Sequence, residues 1–454
     1  MNSETERSEQ KNRGNSPGKR IVRNVSVLIA GRALNAPLAL AHTSLAIRLL
    51  GAEEFGLVIL LYAFARTIAD VVDFQSWQTI LHFGTKPLQD GNKPAFFRIL
   101  RFSLTLDALA AGAGVLCGVL ISIWGRHILG WPDSLHIMGP LYCISILFMA
   151  SATPIGVLRL LDRFDLISTQ GIVSTCIRFI GTVILWLTNG GMMEMALVWI
   201  LAEMTAGSVL MVMAIKELRR RNLLDGLFHS GMSFTDILNG PQLRKQAPNI
   251  WSFTLLANLN TTLTLAFSHV GTLIIGSQLG PAAAGYYRIA GQIASGIAKP
   301  AIMAQSTLYP EMARLWSQDA RRELYLLAAR AAGGAGLLGT CLLGATWFFG
   351  DFILDIIAGP HGNDLLALML WLLAAEVLAI WGLPLEPLLF TMHRTAAVII
   401  SRALDTLLYL PLLVIMANIY GLGGAGPTLF GATGLLLLMQ LGFIMGNRRT
   451  KTDT

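Results

Sequence analysis

The sequence predicts an all-α polytopic membrane protein with twelve transmembrane helices, arranged as two six-helix bundles. Three observations predict this fold: the composition, the spacing of the apolar runs and a glycine corner that occurs twice. Of the 454 residues, 54% are hydrophobic and 13% are charged, whereas a soluble domain carries about 25% charged residues. So much apolar surface cannot be enclosed by a water-soluble shell, so the chain is expected to lie in a membrane.

Twelve apolar runs follow one another along the chain. Each is about 20 residues or longer, which is enough to cross about 30 Å of hydrocarbon as a helix. The runs are too long and too uniformly apolar for the alternating pattern of a membrane β-barrel. The predicted spans are 22–50, 55–82, 99–123, 135–158, 166–188, 193–215, 248–279, 285–310, 325–349, 365–390, 395–417 and 424–446.

The positive charges give an orientation. Of the 34 Lys and Arg residues, 26 lie at the two termini or in and beside the loops on the same side, whereas the opposite loops contain only Arg48 and Arg126. Positive residues stay in the cytoplasm, so both termini are predicted to be cytoplasmic. Topology accounts for the net charge of +7, and no nucleic-acid partner is expected. The basic run at 216–222 could bind nucleic acid or anionic lipid, but it is better interpreted as the cytoplasmic end of span six.

The repeated corner divides the chain into halves. "LLGAEEFGLVIL" (49–60) and "QLGPAAAGYYRI" (278–289) each end an apolar run with Leu-Gly and carry a second Gly five residues later. Each corner follows the first span of a group of six, so the two halves are expected to be related by an axis along the membrane normal. The predicted divisions are a disordered cytoplasmic tail (1–21), an N-lobe (22–215), a cytoplasmic inter-lobe loop (216–247), a C-lobe (248–446) and a cytoplasmic tail (447–454).

The first corner carries a family resemblance. "LAIRLLGAEEFGLVILLYAFARTIADVVDF" (45–74) resembles the first helical hairpin of polysaccharide exporters in the multidrug/oligosaccharidyl-lipid/polysaccharide exporter superfamily, and "NIYGLGGAGPTLF" (418–430) resembles the corner before their last helix. The second corner departs from their pattern, with Ala284 where Phe or Tyr is expected.

The resemblance implies a flippase in the bacterial inner membrane. Such proteins move undecaprenyl-pyrophosphate-linked oligosaccharide from the inner to the outer leaflet for O-antigen, exopolysaccharide or capsule synthesis. The implied partners are this lipid-linked substrate and the membrane lipids, with glycan polymerase machinery as a further candidate.

Charged residues inside the spans predict an anion site, because each costs at least about 2.5–3.5 kcal/mol to insert. A diphosphate crossing the bilayer needs cationic partners midway. The candidate substrate-binding residues are Arg32, Arg66, Arg178 and Lys299. The candidate ion-coupling residues are Asp70, Asp73, Glu203 and Glu376.

Structural explanations compete with these roles. Arg66, Asp70 and Asp73 share one helix face and could simply neutralise one another. Arg402 and Asp405, spaced i, i+3, are expected to form a structural pair. Arg288 and Glu386 lie near predicted helix ends, where a long side chain can reach the interface.

Two other function classes remain open. A multidrug or toxin cation antiporter of the same superfamily would have the same twelve helices, but would favour acidic and aromatic cavity residues. A membrane glycan polymerase or ligase would need a sizeable external loop, and the external loops here are short. The four cysteines are isolated in apolar sequence, so neither a metal site nor a disulfide framework is indicated. No cofactor is predicted, and the protein is not expected to be an enzyme.

Overall fold

A computed structural model describes residues 17–125, 130–224, 234–265, 269–359 and 363–449, but within these ranges it does not describe the side chains of 17–34, 234, 260–261, 263–265, 297, 299–307, 310, 363 and 447–449. All regular secondary structure in the described ranges is helical. Helices α1 to α8 of the first half are Pro17–Val72, Ser76–Gln89, Lys93–Trp124, Leu135–Cys143, Ile146–Met149, Ala152–Leu160, Phe164–Thr188 and Met192–Arg220. Helices α9 to α18 are Phe234–Asn239, Pro241–Gln246, Ile250–Leu265, Val270–Leu279, Pro281–Ser317, Arg321–Ala358, Asn363–Trp381, Leu385–Thr391, Thr395–Tyr420 and Leu422–Arg449.

The helices confirm the predicted all-α polytopic fold and group into twelve crossings. Nine helical stretches among the described residues are long and apolar enough to span a membrane. The first of them contains two crossings, because α1 breaks at Gly51 into spans one and two. The short apolar helices α11 and α12 together form span seven, and the 37-residue α13 forms span eight.

Span boundaries follow local signals in the sequence. The side chain of Asn92 accepts a hydrogen bond from the amide of Ala95 at 3.1 Å and caps α3, with Pro94 in its first turn. Asn189, in the left-handed region at φ 52°, ends α7. The first helix begins at Pro17, inside the predicted tail 1–21, and the last extends to Arg449.

The two glycine corners have the same backbone conformation. Gly51 has φ 75° and ψ 172°, and Gly280 has φ 89° and ψ 174°, a region that only glycine adopts readily. The corners pack against each other. A Cβ on Gly56 would lie 1.9 Å from the carbonyl oxygen of Pro281, and Gly285 faces the backbone of Ala52. Each half thus supplies one corner to a contact between the halves.

Span seven contacts both halves. Its first part, α11, packs on the first half, where Thr254 and Thr79 share a buried hydrogen bond of 2.9 Å and Asn258 donates to the carbonyl of Asp73 at 2.7 Å. Its second part, α12, packs against α13 and α17 of the second half and also against α1 of the first, where Gly276 faces the side chain of Leu60. The predicted C-lobe therefore starts with a segment that contacts the N-lobe.

The described part of the inter-lobe segment also lies on the first half. Arg98 of α3 donates hydrogen bonds to Gln246 and Gln242, both at 3.1 Å. Leu243 is buried in a cluster with Ile99 and Phe102. These contacts hold α10 against the N-terminal part of α3, and Leu238 of α9 packs against the same cluster.

Candidate functional site

Tyr62 of span two lies at the centre of a cluster of charged and aromatic residues between the halves. Its ring lies 4.8 Å from the guanidinium carbon of Arg178 and 5.8 Å from that of Arg288. The Trp199 and His269 rings meet it edge-on, with centroids at 5.5 and 5.9 Å. The cluster combines residues from spans two, five, six, seven and eight, so both halves contribute to it.

Arg66 and Asp70 extend the cluster along span two. Residues 62, 66 and 70 are spaced by four and therefore lie on one helix face. Arg66 Nη2 lies 2.9 Å from Asp70 Oδ1. The Arg66 side chain is 33% exposed and that of Asp70 only 8%, so Arg66 retains accessible donor surface while it is paired.

Arg178 and Glu203 form a second ion pair in the first half. Arg178 Nη2 lies 2.6 Å from Glu203 Oε1, which also accepts a hydrogen bond from Ser174 at 3.0 Å. The Arg178 guanidinium carbon lies 4.2 Å from the centre of the Trp199 ring. Side-chain exposures of 11% and 15% show a pair enclosed by protein. Such pairing is how charges persist inside a membrane protein.

Arg288 enters the cluster from the second half. It forms no ion pair within the described residues, and it is repelled by Arg178 and Arg66. It also lines a cavity of 150 Å³ with Tyr287, Ser295 and Glu376. The bundle interior therefore holds a guanidinium that is supported by an aromatic ring and has no described carboxylate partner.

The predicted residues occupy different positions relative to the cluster. Arg66, Arg178, Asp70 and Glu203 belong to it, and Glu376 lines the adjoining cavity. Asp73 lies just beyond the end of α1, where its carboxylate accepts the Gln75 amide at 3.0 Å. The side chains of Arg32 and Lys299 lie outside the described part of the structure.

Two structural expectations were wrong. Arg288 lies within the cluster rather than at the membrane–water interface. Arg402 pairs with Glu386, at 2.6 Å, although Asp405 stands only three residues away. Asp405 is 1% exposed, and neither of its carboxylate oxygens has a hydrogen-bond partner in the structure. Helical spacing predicted the wrong partner for Arg402 because it contains no information on which side chains the neighbouring helices supply.

Sequence reasoning missed the aromatic part of the cluster. Tyr62 and Trp199 lie in apolar runs where an aromatic residue has no distinguishing pattern. His42 was missed as well. It is 4% exposed, with its ring centroid 5.9 Å from that of Trp199 and its Nδ1 atom without a hydrogen-bond partner in the structure. The one available signal was the spacing of four between Tyr62 and Arg66.

Solved transporter structures share this fold. A multidrug resistance MATE family transporter of the MOP superfamily, in an inward-facing conformation, aligns with a TM-score of 0.70 at 12% identity, over 94% of this chain and 98% of that chain. The lipid II flippase MurJ, in an inward closed conformation, aligns with a TM-score of 0.70 at 13% identity, over 92% of this chain and 87% of that chain. At these identities the likeness concerns the fold.

Two sequence comparisons identify the family. The inner membrane protein YghQ of Escherichia coli (strain K12) is 30% identical over 321 residues, which cover 70% of this chain and 87% of that protein. Residues 21–316, more than half of the chain, match the family described as polysaccharide biosynthesis protein. The chain therefore belongs to the polysaccharide biosynthesis protein family and has the fold of the MOP-superfamily transporters.

Proposed function

We propose that this protein is a flippase of the bacterial inner membrane. It moves undecaprenyl-pyrophosphate-linked oligosaccharide from the inner to the outer leaflet by alternating access, for synthesis of O-antigen, exopolysaccharide or capsule. Both termini are cytoplasmic in this proposal, and the two glycine corners face outward. Support comes from the family match, from the inner membrane relative and from the transporter fold.

The observation that carries the proposal is Arg288. A guanidinium without a described counter-ion, beside two further arginines and an aromatic ring, is costly inside a membrane protein. That cost is offset when an anion binds. A diphosphate fits because pairs of its oxygens can accept charge-assisted, bidentate hydrogen bonds from an arginine guanidinium.

The pairs beside Arg288 suggest how binding and release occur. The Arg66–Asp70 pair is accessible on the Arg66 side, so phosphate oxygens can replace Asp70 as the partner of Arg66. When the head group leaves, Asp70 recovers Arg66. Arg178 is enclosed by Glu203, Tyr62 and Trp199, and its role is to hold Tyr62 against Arg288. Lys299 and Arg32 remain further candidates for head-group contact. The polyprenyl tail stays in lipid at the edge of the halves.

A cation antiporter of the same fold fits this cluster less well. A cationic drug would meet Arg66 and Arg288, and the acidic residues Asp70 and Glu203 are already paired. The cluster therefore favours an anionic head group over a cationic substrate.

Deletion of the gene in its native host tests the proposal. We expect the lipid-linked oligosaccharide to accumulate in the inner leaflet and the surface glycan to be lost, with both restored by the wild-type gene. Restoration should fail with Arg288→Gln, expressed at the wild-type level. Unchanged surface glycan in the deletion strain, with no accumulated lipid-linked intermediate, would contradict the proposed function.

A further inference from the structure

An apolar groove runs along the outside of the second half. It lies between α14, the broken span formed by α15 and α16, and α18, and its volume is 640 Å³. On α14 it is lined by Ala328, Ala329 and Ala332, which share one helix face and present only methyl groups. Gly434 of α18 leaves further space on the opposite side. The groove therefore arises because the helices around it lack bulky side chains at these positions.

Trp381 closes the deep end of the groove. Ala332 is the last residue of α14 that lines it. One helical turn later, a Cβ on Gly336 would lie 2.3 Å from the Trp381 ring. The indole Nε1 of Trp381 donates a hydrogen bond to the hydroxyl of Thr340 at 3.2 Å, which fixes the ring in this position. Span ten breaks directly after Trp381, at residues 382–384, so the wall of the groove changes direction there.

The length of the groove matches one leaflet of the membrane. Along α18 its lining runs from Gly434 to Met445, which corresponds to about 16 Å of helix. The hydrocarbon core of a bilayer is about 30 Å thick, so one leaflet contributes about 15 Å. The groove extends towards the end of the bundle where the C-terminus lies, and this is the cytoplasmic leaflet in the proposed orientation.

The groove is open to the surrounding lipid. The side of α18 that lines it is strongly exposed, with Leu438 at 68%, Met445 at 59% and Leu441 at 38%. None of the described residues that line the groove is charged. In a transmembrane bundle such a surface is in contact with hydrocarbon chains. Its concave shape allows it to enclose one chain more fully than a flat helix surface does.

Arg322 stands at the open end of the groove. It lies one helical turn before Tyr325, which lines the groove, and therefore on the same face of α14. Its side chain is exposed and has no ion-pair or hydrogen-bond partner among the described residues. The neighbouring Arg321 is already paired with Asp319, at 2.9 Å. Arg322 is thus a cation available to a ligand at this end.

Further arginines approach the same end from the other helices. Arg394, between α16 and α17, donates a hydrogen bond to the carbonyl of Phe443, which directly precedes the lining residue Ile444. A guanidinium has five N–H donors, so this bond leaves others for a ligand. The last turn of α18 contains Arg448 and Arg449. An apolar groove of one-leaflet length therefore ends among positive charges.

We propose that this groove binds an anionic phospholipid, with an acyl chain in the groove and the phosphate at Arg322 and Arg394. Basic pockets between transmembrane helices at the cytoplasmic side are suited to anionic head groups, and a guanidinium matches the geometry of a phosphate. The undecaprenyl tail of the proposed substrate is much longer than one leaflet, whereas a phospholipid acyl chain matches the groove. Lipid binding is independent of the proposed flippase function, and only the identity of the leaflet follows from the proposed orientation.

The test measures lipid binding by the purified full-length protein in detergent. Thermal unfolding is followed as phosphatidylglycerol is added, and in parallel as phosphatidylcholine with the same acyl chains is added at the same mole fractions. A ligand that binds only the folded protein raises the unfolding midpoint. We expect a saturable rise with phosphatidylglycerol and a midpoint close to the lipid-free value with the zwitterionic phosphatidylcholine.

Two variants assign the effect to the groove. Arg322→Gln should raise the phosphatidylglycerol concentration at half-saturation about fivefold, because it removes one arginine beside an anionic head group. Ala332→Phe fills the deep end of the groove and should abolish the rise. The matched controls are Arg220→Gln, at an exposed arginine at the end of α8, and Leu337→Phe, at a residue of α14 that is 61% exposed outside the groove. Both controls should titrate as the wild type.

Equal midpoints with both phospholipids would overturn the proposal, and so would a phosphatidylglycerol effect that persists unchanged in Arg322→Gln and Ala332→Phe. A further titration uses a polyprenyl phosphate without sugars. If this lipid alone raises the midpoint of the wild type and fails to do so in Ala332→Phe, the groove holds the tail of the transport substrate and the proposal is wrong.

Should Ala332→Phe fail to fold, the lipid comparison in the wild type and in Arg322→Gln decides the outcome, since Arg322 is exposed. No transport step is measured. Failure here is therefore distinct from failure of the flippase function, which the deletion strain reports.

Discussion

The two glycine corners and the helices that follow them invite a direct comparison. Gly51 and Gly280 share one backbone conformation, and Gly56 and Gly285 sit five residues later, where the halves touch. If the alignment of Gly51 with Gly280 is continued without gaps, Ile59 corresponds to Arg288 and Arg66 corresponds to Ser295. The halves therefore match at the two corners and differ along the helices that follow, where the charged cluster lies.

This difference separates architecture from chemistry. At Gly51 and Gly280 the backbone conformation favours glycine, and at Gly56 the close approach of Pro281 excludes a side chain. The charged cluster instead takes Arg66, Arg178 and their acidic partners from the first half and Arg288 from the second. The site is therefore asymmetric although the fold repeats.

The largest expected effect concerns the side of the membrane on which both corners lie. In a background without Cys117, Cys143, Cys176 and Cys341, an impermeant maleimide should label Glu53→Cys and Gln278→Cys in intact cells and leave Asn222→Cys unlabelled. All three positions are exposed, so accessibility differs only by side. Labelling of Asn222→Cys with sparing of the corners would reverse the orientation and the transport direction.

The next effect distinguishes the two matched glycines. A methyl group at Gly56 would lie 1.9 Å from the Pro281 carbonyl oxygen, whereas one at Gly285 would meet its nearest atoms at 3.4 Å. Gly56→Ala should therefore lower the unfolding midpoint and abolish glycan export, with an overpacking cost of about 1–3 kcal/mol. Gly285→Ala should stay near wild type. Equal tolerance of both substitutions would show that the corners do not pack as described.

The sequence anticipated the architecture better than the site. Apolar length fixed the helices, because a membrane span needs a minimum of apolar residues, and the repeated Leu-Gly marked both corners. Local spacing also anticipated the Arg66–Asp70 pair. The Arg178–Glu203 pair and the choice of Glu386 by Arg402 depend on which helices become neighbours. Asp107 of α3 accepts hydrogen bonds from the hydroxyl of Ser76 at the start of α2 and from the amide of Thr153 in the first turn of α6. This arrangement likewise requires three spans to be in place, and no local pattern contains that information.

An intermediate effect tests the asymmetry of the charged cluster. Arg66→Gln and Arg288→Gln should each reduce glycan export by about 10- to 100-fold, since each removes a charge-assisted contact of about 1.5–3 kcal/mol. Arg314→Gln serves as the matched control, because Arg314 is an exposed arginine paired with Glu311. It should change little, as surface pairs contribute less than about 1 kcal/mol. Normal export by both cluster variants would remove the basis for an anion site.

The smallest effect concerns Tyr62, whose counterpart in the repeat is Gly291. Tyr62→Leu should reduce export by about 2- to 30-fold, because each cation–π contact contributes about 0.5–2 kcal/mol. Tyr62→Phe keeps the ring over Arg178 and Arg288 and should remain close to wild type. If Tyr62→Phe is as impaired as Tyr62→Leu, the hydroxyl matters rather than the ring.

The most direct measurement of the central claim is flipping in proteoliposomes. The wild type and Arg288→Gln are reconstituted with a polyprenyl-pyrophosphate-linked oligosaccharide, and the fraction that becomes accessible to an external glycosidase is followed with time. The flippase account predicts rapid exposure with the wild type and slow exposure with Arg288→Gln at equal protein content. The account would be contradicted if the wild type exposed the oligosaccharide no faster than protein-free liposomes do. Equal rates for the wild type and Arg288→Gln would contradict it as well.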